Sequence, residues 1–197
     1  EWNSGLLADL RKTKQWISQN RNSRNIRLEG SRRLSSILAF GAIFSSVSGF
    51  KIDVNHRGEY WSTNKHLSAT VSNYELTTRA VEGSNEGLIV TIGIGRDISG
   101  SVSAILNELD LDSLRRLYIH GQTRILSAEQ ANMVVHDIKK YITDSMLGGQ
   151  KGTIHLFYAG PSPLALFLGH RINAIGPIQC YEWITGAEYA PTWYLEG

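Results

Sequence analysis

The stretch His155-Leu-Phe-Tyr-Ala-Gly-Pro-Ser-Pro-Leu-Ala-Leu-Phe-Leu-Gly169, followed by Pro177-Ile-Gln-Cys-Tyr-Glu-Trp183, decides the fold. Its short apolar run over 154–158 predicts a buried strand, the Gly/Pro/Ser cluster over 159–163 a tight loop, and 164–172 a helix. The chain then returns as a strand over 178–183, which completes one strand-helix-strand unit. The loop lies where the carboxyl end of a strand meets the amino end of a helix. Ligands of open α/β sheets bind at such places, because free backbone N–H groups there favour an anion.

Working outward, the alternation is regular from Leu88. Strands are predicted over 88–94 and 114–119, and helices over 98–109 and 128–147. The second helix is introduced by the capping box Ser127-Ala-Glu-Gln130 and stopped by Gly148-Gly149. Four strands with three intervening helices mean an α/β, Rossmann-like domain with a largely parallel sheet flanked by helices. Toward the amino end, Leu6, Leu10, Thr13 and Ile17 keep one face of a helix. A polar linker over 19–24 follows. Ser31 is the expected N-cap of a helix whose apolar face is Leu34, Ile37, Leu38, Gly41 and Phe44. Phe50, Ile52 and Val54 alternate as a half-buried strand, and Asn55-His-Arg-Gly58 turns the chain toward Tyr60-Trp61. A further short strand is expected over 67–71.

At 197 residues and 42% hydrophobic content, the chain can bury a sizeable core as one domain or two small ones. The single Cys180 allows no internal disulfide and reads as a small buried residue of a reducing compartment. The longest apolar stretch, 34–47, is interrupted by serines and falls short of the roughly 20 residues that cross a bilayer. No membrane role is expected. A start at Glu1-Trp2 without methionine is what a domain excised from a longer protein looks like.

Net charge is +2, unevenly spread. Between Arg11 and Arg33, eight basic residues stand against Glu29 alone, a net +7 that leaves the remainder at −5. Two readings remain open for this segment: a solvated helix face with a linker, or a surface for phosphates or nucleic acid. Arg32 and Arg33 are placed at a helix start, where cations oppose the helix dipole unless an anion lies nearby.

Several catalytic patterns fail on inspection. Gly93-Ile-Gly95-Arg-Asp-Ile98 has Ile98 where the dinucleotide fingerprint needs its third glycine. Arg96 is still expected at a strand's carboxyl end, where it can meet a phosphate, and Asp97 reads as a helix cap. Gly160-Pro-Ser162-Pro-Leu164 lacks the second glycine of a nucleophile elbow. The six histidines show no metal-ligand spacing. We therefore expect no catalytic residue, metal or cofactor, and read His120 as a strand-end residue near the ligand edge.

What the chain does offer suits a ligand that carries phosphates, which want guanidinium groups or helix amino ends, and flat bases, which want stacking partners. The candidates are Arg27, Arg32 and Arg96 for phosphate, the Gly160, Pro161 and Ser162 loop for backbone donors, and Trp61 and Trp183 for stacking. Either tryptophan is alternatively core filler.

Three segments together carry a family resemblance: Leu28-Glu-Gly-Ser-Arg-Arg-Leu-Ser-Ser-Ile-Leu-Ala-Phe-Gly41, the strand at Gly49-Phe50 with His56-Arg-Gly58 and Trp61 after it, and His155-Leu-Phe with Pro161, Gly169 and Tyr181-Glu182. The chain resembles the SAVED domain of bacterial anti-phage (CBASS) effectors over nearly its whole length. The resemblance implies two fused CARF-like units, here with a basic helix and linker over 1–26, a first, incomplete unit over 27–82 and a second over 83–197. It implies a cytoplasmic sensor that binds a cyclic oligonucleotide second messenger, forms a homo-oligomer on binding, and activates a fused N-terminal effector nuclease. The compact size looks most like the HNH-linked group, which favours a cyclic dinucleotide such as cyclic GMP-AMP, with a cyclic trinucleotide as the alternative. Two other classes are carried beside it. One is a ring-nuclease-like enzyme that cleaves the cyclic nucleotide; the other is a nucleic-acid-binding module using the basic segment.

Overall fold

The computed structural model describes residues 2–64, 73–146, 152–185 and 188–196. A π-helical turn Trp2–Leu7 leads into helix α1 (Ala8–Asn20). A small sheet then forms from β1 (Asn25–Leu28), β2 (Lys51–His56) and β3 (Glu59–Ser62), with α2 (Leu34–Ile43) as the crossover between β1 and β2. The larger sheet has β4 (Thr77–Val81), β5 (Ser84–Ile94), β6 (Leu114–Gly121), β7 (Thr153–Ala159), β8 (Ile178–Trp183) and β9 (Tyr189–Leu195), in the order β4-β6-β5-β7-β8-β9. Helices α3 (Ser99–Ile105), α4 (Ala128–Met146) and α5 (Ser162–Arg171) connect its parallel strands.

The expected parallel core is present: β6, β5, β7 and β8 run parallel, and the strand-helix-strand unit is β7-α5-β8. Antiparallel β4 and β9 extend it at either edge, and β1 forms directly after the linker. The strand expected over 67–71 lies outside the described residues. One face of the large sheet presents Leu88, Val90, Ile92, Leu156 and Cys180 to a core shared with α2, α4 and α5. The other presents Ile89, Phe157 and Tyr181 to α3. This two-sided burial explains why β5 and β7 read as nearly unbroken apolar runs.

The chain repeats one motif. In β1-α2-β2-β3, β1 pairs parallel with β2 and β2 antiparallel with β3; in β7-α5-β8-β9, β7 pairs parallel with β8 and β8 antiparallel with β9. The two crossover helices pack on each other at very short range. A Cβ at Gly41 would lie 2.2 Å from the Leu166 carbonyl oxygen, and one at Gly169 would lie 1.9 Å from that of Leu38.

Local signals mostly act as their chemistry dictates. Ser127 Oγ accepts from the Gln130 N–H at 3.2 Å, while Gln130 Oε1 reaches back to the Leu126 N–H at 2.8 Å. Asp97 Oδ1 accepts from the Ser99 N–H at 2.8 Å, and that bond holds its carboxyl below the usual range. Two capping expectations are corrected. Arg33, not Ser31, is the N-cap of α2 and makes no side-chain cap; the Ser35 N–H donates instead to the Glu182 carboxylate at 2.8 Å. Pro161, not Ser162, is the N-cap of α5, because the rigid φ of Pro161 and Pro163 suits a helix start. Helix α3 ends at Ile105, short of the expected 109, and the following turn carries Asp110 at φ 56°. Cys180 is buried, and burial pushes its thiol up to about 12, so it stays protonated and unreactive. No helix among the described residues is long and apolar enough to cross a membrane.

Candidate ligand cleft at the strand ends

Because β5, β6 and β7 are parallel, their carboxyl ends share one edge of the large sheet. The segments that leave them supply Ile94 and Gly95, Arg124 and Ile125, and Gly160 and Pro161 to a cleft of about 300 Å³. The β2–β3 turn of the small sheet closes it with His56 and Arg57. Both repeats of the motif therefore contribute.

Each segment is held by a specific local device. The turn between β2 and β3 places Arg57 at φ 55° and Gly58 at φ 88°. Positive φ at both central residues matches a two-residue hairpin turn to the twist of its strands. Asn55 Oδ1 fixes it by accepting from the Gly58 N–H at 3.2 Å. A non-glycine residue at positive φ costs about 1–2 kcal/mol, and here that strain falls on a cationic cleft residue. Gly95, at φ 74°, donates its N–H to the Gly121 carbonyl at 2.7 Å and ties the ends of β5 and β6 together. Tyr158 Oη donates to the Pro161 carbonyl at 2.8 Å, and burial pushes its phenol well above its ordinary value, so it remains a donor. A Cβ at Gly160 would lie 2.7 Å from the Tyr158 hydroxyl oxygen, so a larger residue there would have to displace that phenol. Pro163 has no N–H and the Leu164 N–H donates to Pro161, leaving the Ser162 N–H as the unengaged donor of the first turn of α5 among the described residues.

The electrostatics are one-signed. Among the described residues, no acidic one lines the cleft. Arg57 and Arg124 each lack a carboxylate partner among the described residues. Burial, then the neighbouring Arg57, hold His56 below its ordinary value. Two exposed guanidiniums beside a helix start suit an anion, and the Gly160-Pro161 backbone allows close approach of a flat or phosphorylated ligand.

Of the residues singled out from sequence, Gly160 and Pro161 line this cleft and Ser162 adjoins it. Arg96 and Trp183 are brought together at the same sheet edge, with the Arg96 guanidinium 5.8 Å from the indole centroid and Trp183 45% exposed. Arg27 and Arg32 lie elsewhere. Arg27 stacks over Tyr60 at 4.5 Å, and the Tyr60 hydroxyl donates to the Glu29 carboxylate. Arg32 donates to the Glu29 carbonyl at 2.6 Å and borders a separate, mostly apolar cleft with Leu6, Leu10, Phe40 and Trp193. The reading of Trp61 as a stacking platform is corrected. It is 5% exposed in the main core, its ring edge-on to His56 at 4.7 Å, because strand alternation turns it inward while Tyr60 faces out. It supports a cleft residue from behind. Sequence reasoning missed Arg57 and Arg124 as residues lining the cleft. The signal was available: each is the basic residue of a turn leaving a strand at this edge.

The SAVED family model, SMODS-associated and fused to various effectors sensor domain, matches residues 9–195. CD-NTase-associated protein 4 from Acinetobacter sp. is 30% identical over 98% of this chain, and the protein of that name from Moraxella osloensis 29% identical over 98%. The chain spans about two-fifths of the length of these relatives, 41% and 40% respectively. Among solved structures, the Acinetobacter baumannii Cap4 SAVED/CARF-domain receptor with the cyclic trinucleotide 2'3'3'-cAAA superposes at a TM-score of 0.90 with 28% identity, covering 99% of this chain and 43% of that one. The same receptor with 3'3'3'-cAAA gives 0.89 with 27% identity over 99% and 44%. Moraxella osloensis Cap4 gives 0.78 with 27% identity over 99% and 42%. With the whole fold from α1 to β9 accounted for, the chain belongs to the SAVED family of sensor domains.

Proposed function

We propose that this domain is a receptor for a cyclic oligonucleotide, bound with its phosphates toward Arg57 and Arg124 in the strand-end cleft. The observation that carries the reading is the pair of guanidiniums, unpartnered by acid, beside the Gly160-Pro161 backbone and the free Ser162 N–H. The neighbours in complex support it, since they hold cyclic trinucleotides. They also favour a cyclic trinucleotide over the cyclic dinucleotide, such as cyclic GMP-AMP, expected from the HNH-linked group.

Within this proposal the protein is a bacterial, cytoplasmic effector whose output comes from a domain fused to the sensor. The relatives are more than twice as long as this chain, which leaves room for such a domain, and a nuclease preceding the sensor is the form proposed for it. Binding passes to that partner through association of sensor domains; after a basic arm of 1–26, the boundary expected between units of 27–82 and 83–197 moves ahead of β4, because residues 77–81 pair with β6 in the larger sheet. Arg96 and Trp183 form an outer contact for a base, while Arg27 and Arg32 act outside the cleft. Isothermal titration of the chain with cyclic tri-adenylates and cyclic dinucleotides tests the reading. Saturable binding of a trinucleotide recovered intact supports it. Binding to neither ring, or conversion to linear product, defeats it.

A further inference from the structure

Gln122 and Thr123 border a second, smaller pocket of about 140 Å³, completed by Glu75, Thr77 and His120. The same run of chain continues into Arg124 and Ile125 of the strand-end cleft, so of four consecutive residues the first two border the pocket and the next two the cleft. At this volume the pocket is well below the roughly 300–1,000 Å³ that encloses a whole small-molecule ligand. It admits a fragment of one.

Its wall is fixed and its lining is polar. The Tyr74 hydroxyl donates to the Thr123 carbonyl at 2.6 Å, and a Cβ at Gly121 would lie 2.4 Å from that hydroxyl. Thr77 Oγ1 is committed to the His120 carbonyl at 3.2 Å. Three other groups are not committed. His120 Nδ1 is buried with no partner, and neither the Glu75 carboxylate nor the Gln122 amide is hydrogen-bonded among the described residues. A buried ring nitrogen without a partner is costly unless water or a ligand supplies one.

The geometry points to a base-reading subsite: one heterocyclic base of the cyclic oligonucleotide enters this pocket and is selected there through its exocyclic amino group. The inference rests on the receptor reading above, which places the phosphates of the same ligand beside Arg57 and Arg124. An ionised carboxylate can only accept hydrogen bonds, so Glu75 selects a base edge that donates. Gln122 offers the amide pair that matches the amino and ring-nitrogen edge of adenine.

The test compares a cyclic tri-adenylate with the same ring carrying purine, which has hydrogen in place of the 6-amino group. Both are titrated into the wild-type chain and into Glu75→Ala, Gln122→Ala and Arg57→Ala. The wild type is expected to bind the amino-bearing ring about tenfold more tightly, the scale of one good base contact. Glu75→Ala is expected to reduce that ratio below about threefold while leaving the purine ring's affinity unchanged, and Gln122→Ala to reduce the ratio likewise while also weakening the purine ring, which keeps the ring nitrogen that its amide meets. Arg57→Ala is expected to weaken both rings by one factor and keep the ratio. Equal binding of the two rings by the wild type, or a full ratio retained in both pocket variants, overturns the subsite while leaving the receptor reading intact. Failure of the wild type to bind either ring overturns both. Glu75 and Gln122 are exposed, and unchanged thermal unfolding of each variant verifies that the fold is preserved.

Discussion

Gly41 and Gly169 each stand eighth in a ten-residue helix, and each meets the carbonyl of the fifth residue of the other helix, Leu166 and Leu38 respectively. The contact is reciprocal, as around a local two-fold axis, and joins the small sheet's crossover helix to that of the large sheet. Since the obstructing atoms are backbone, no side chain can turn aside to make room. Gly169→Ala and Gly41→Ala should each cost about 3 kcal/mol by overpacking. Thermal unfolding should show a fall of about 6–12 °C for a chain of this size. A variant that melts like the wild type would mean the helices slide apart freely.

Arg57→Ala and Arg124→Ala should each weaken binding of a cyclic tri-adenylate by about 1.5–3 kcal/mol, the range for a hydrogen bond to a charged group. Neither should unfold the domain, because both side chains are exposed or on a turn. Calorimetry read beside melting temperature separates the two effects. Retained affinity in both variants would remove the phosphates from this cleft.

The tryptophans should part company. Trp61→Ala should destabilise the fold by about 3–5 kcal/mol as a core truncation, observed as a lowered urea midpoint without ligand. Trp183→Ala leaves the core untouched, and its expected effect is on ligand affinity, by about 1–3 kcal/mol if a base stacks there. A Trp61 variant as stable as the wild type would contradict the packing of the small sheet.

Stability should also depend on pH through His170. Its side chain is 2% exposed, its Nδ1 is 2.6 Å from the Phe44 carbonyl, and burial lowers its pKa to about 4. The unfolded chain therefore takes up a proton near pH 6.5 that the folded chain refuses until about 4. Stability is full above 6.5 and falls by about 1.4 kcal/mol per pH unit between those limits. Burial shifts His56 and His155 in the same direction. His170→Asn, whose amide can still donate to Phe44, should flatten the slope measured by urea unfolding from pH 7 to pH 4.5. An unchanged slope in that variant would assign the dependence to the other groups.

The parallel core and the edge that carries the cleft were legible because buried strands and capped helices leave strong local marks. The apolar run before Gly160 and the box at Ser127–Gln130 are of this kind. Edge strands leave weaker ones. β1 has only Ile26 and Leu28 turned inward and follows a polar linker, and β9 alternates around Pro191. Helix starts misled for another reason: Ser31 and Ser162 are good caps locally, but Glu182 from a distant strand and the prolines at 161 and 163 take those roles. The cleft's two guanidiniums were hidden because Arg57 and Arg124 are far apart in sequence and only the meeting of the two sheets makes them neighbours.

The helix starts on either side of that meeting are unlike. At the second position of α2, the Ser35 N–H is already occupied by the Glu182 carboxylate; at the second position of α5, Pro163 has no N–H to offer. Two identical subunits around an axis would have to present the same pair of ends. A single chain holding both copies of the motif escapes that constraint, so the edge is chemically polar from one side to the other. A ring-shaped guest laid across it meets a left and a right, and has one way round to lie.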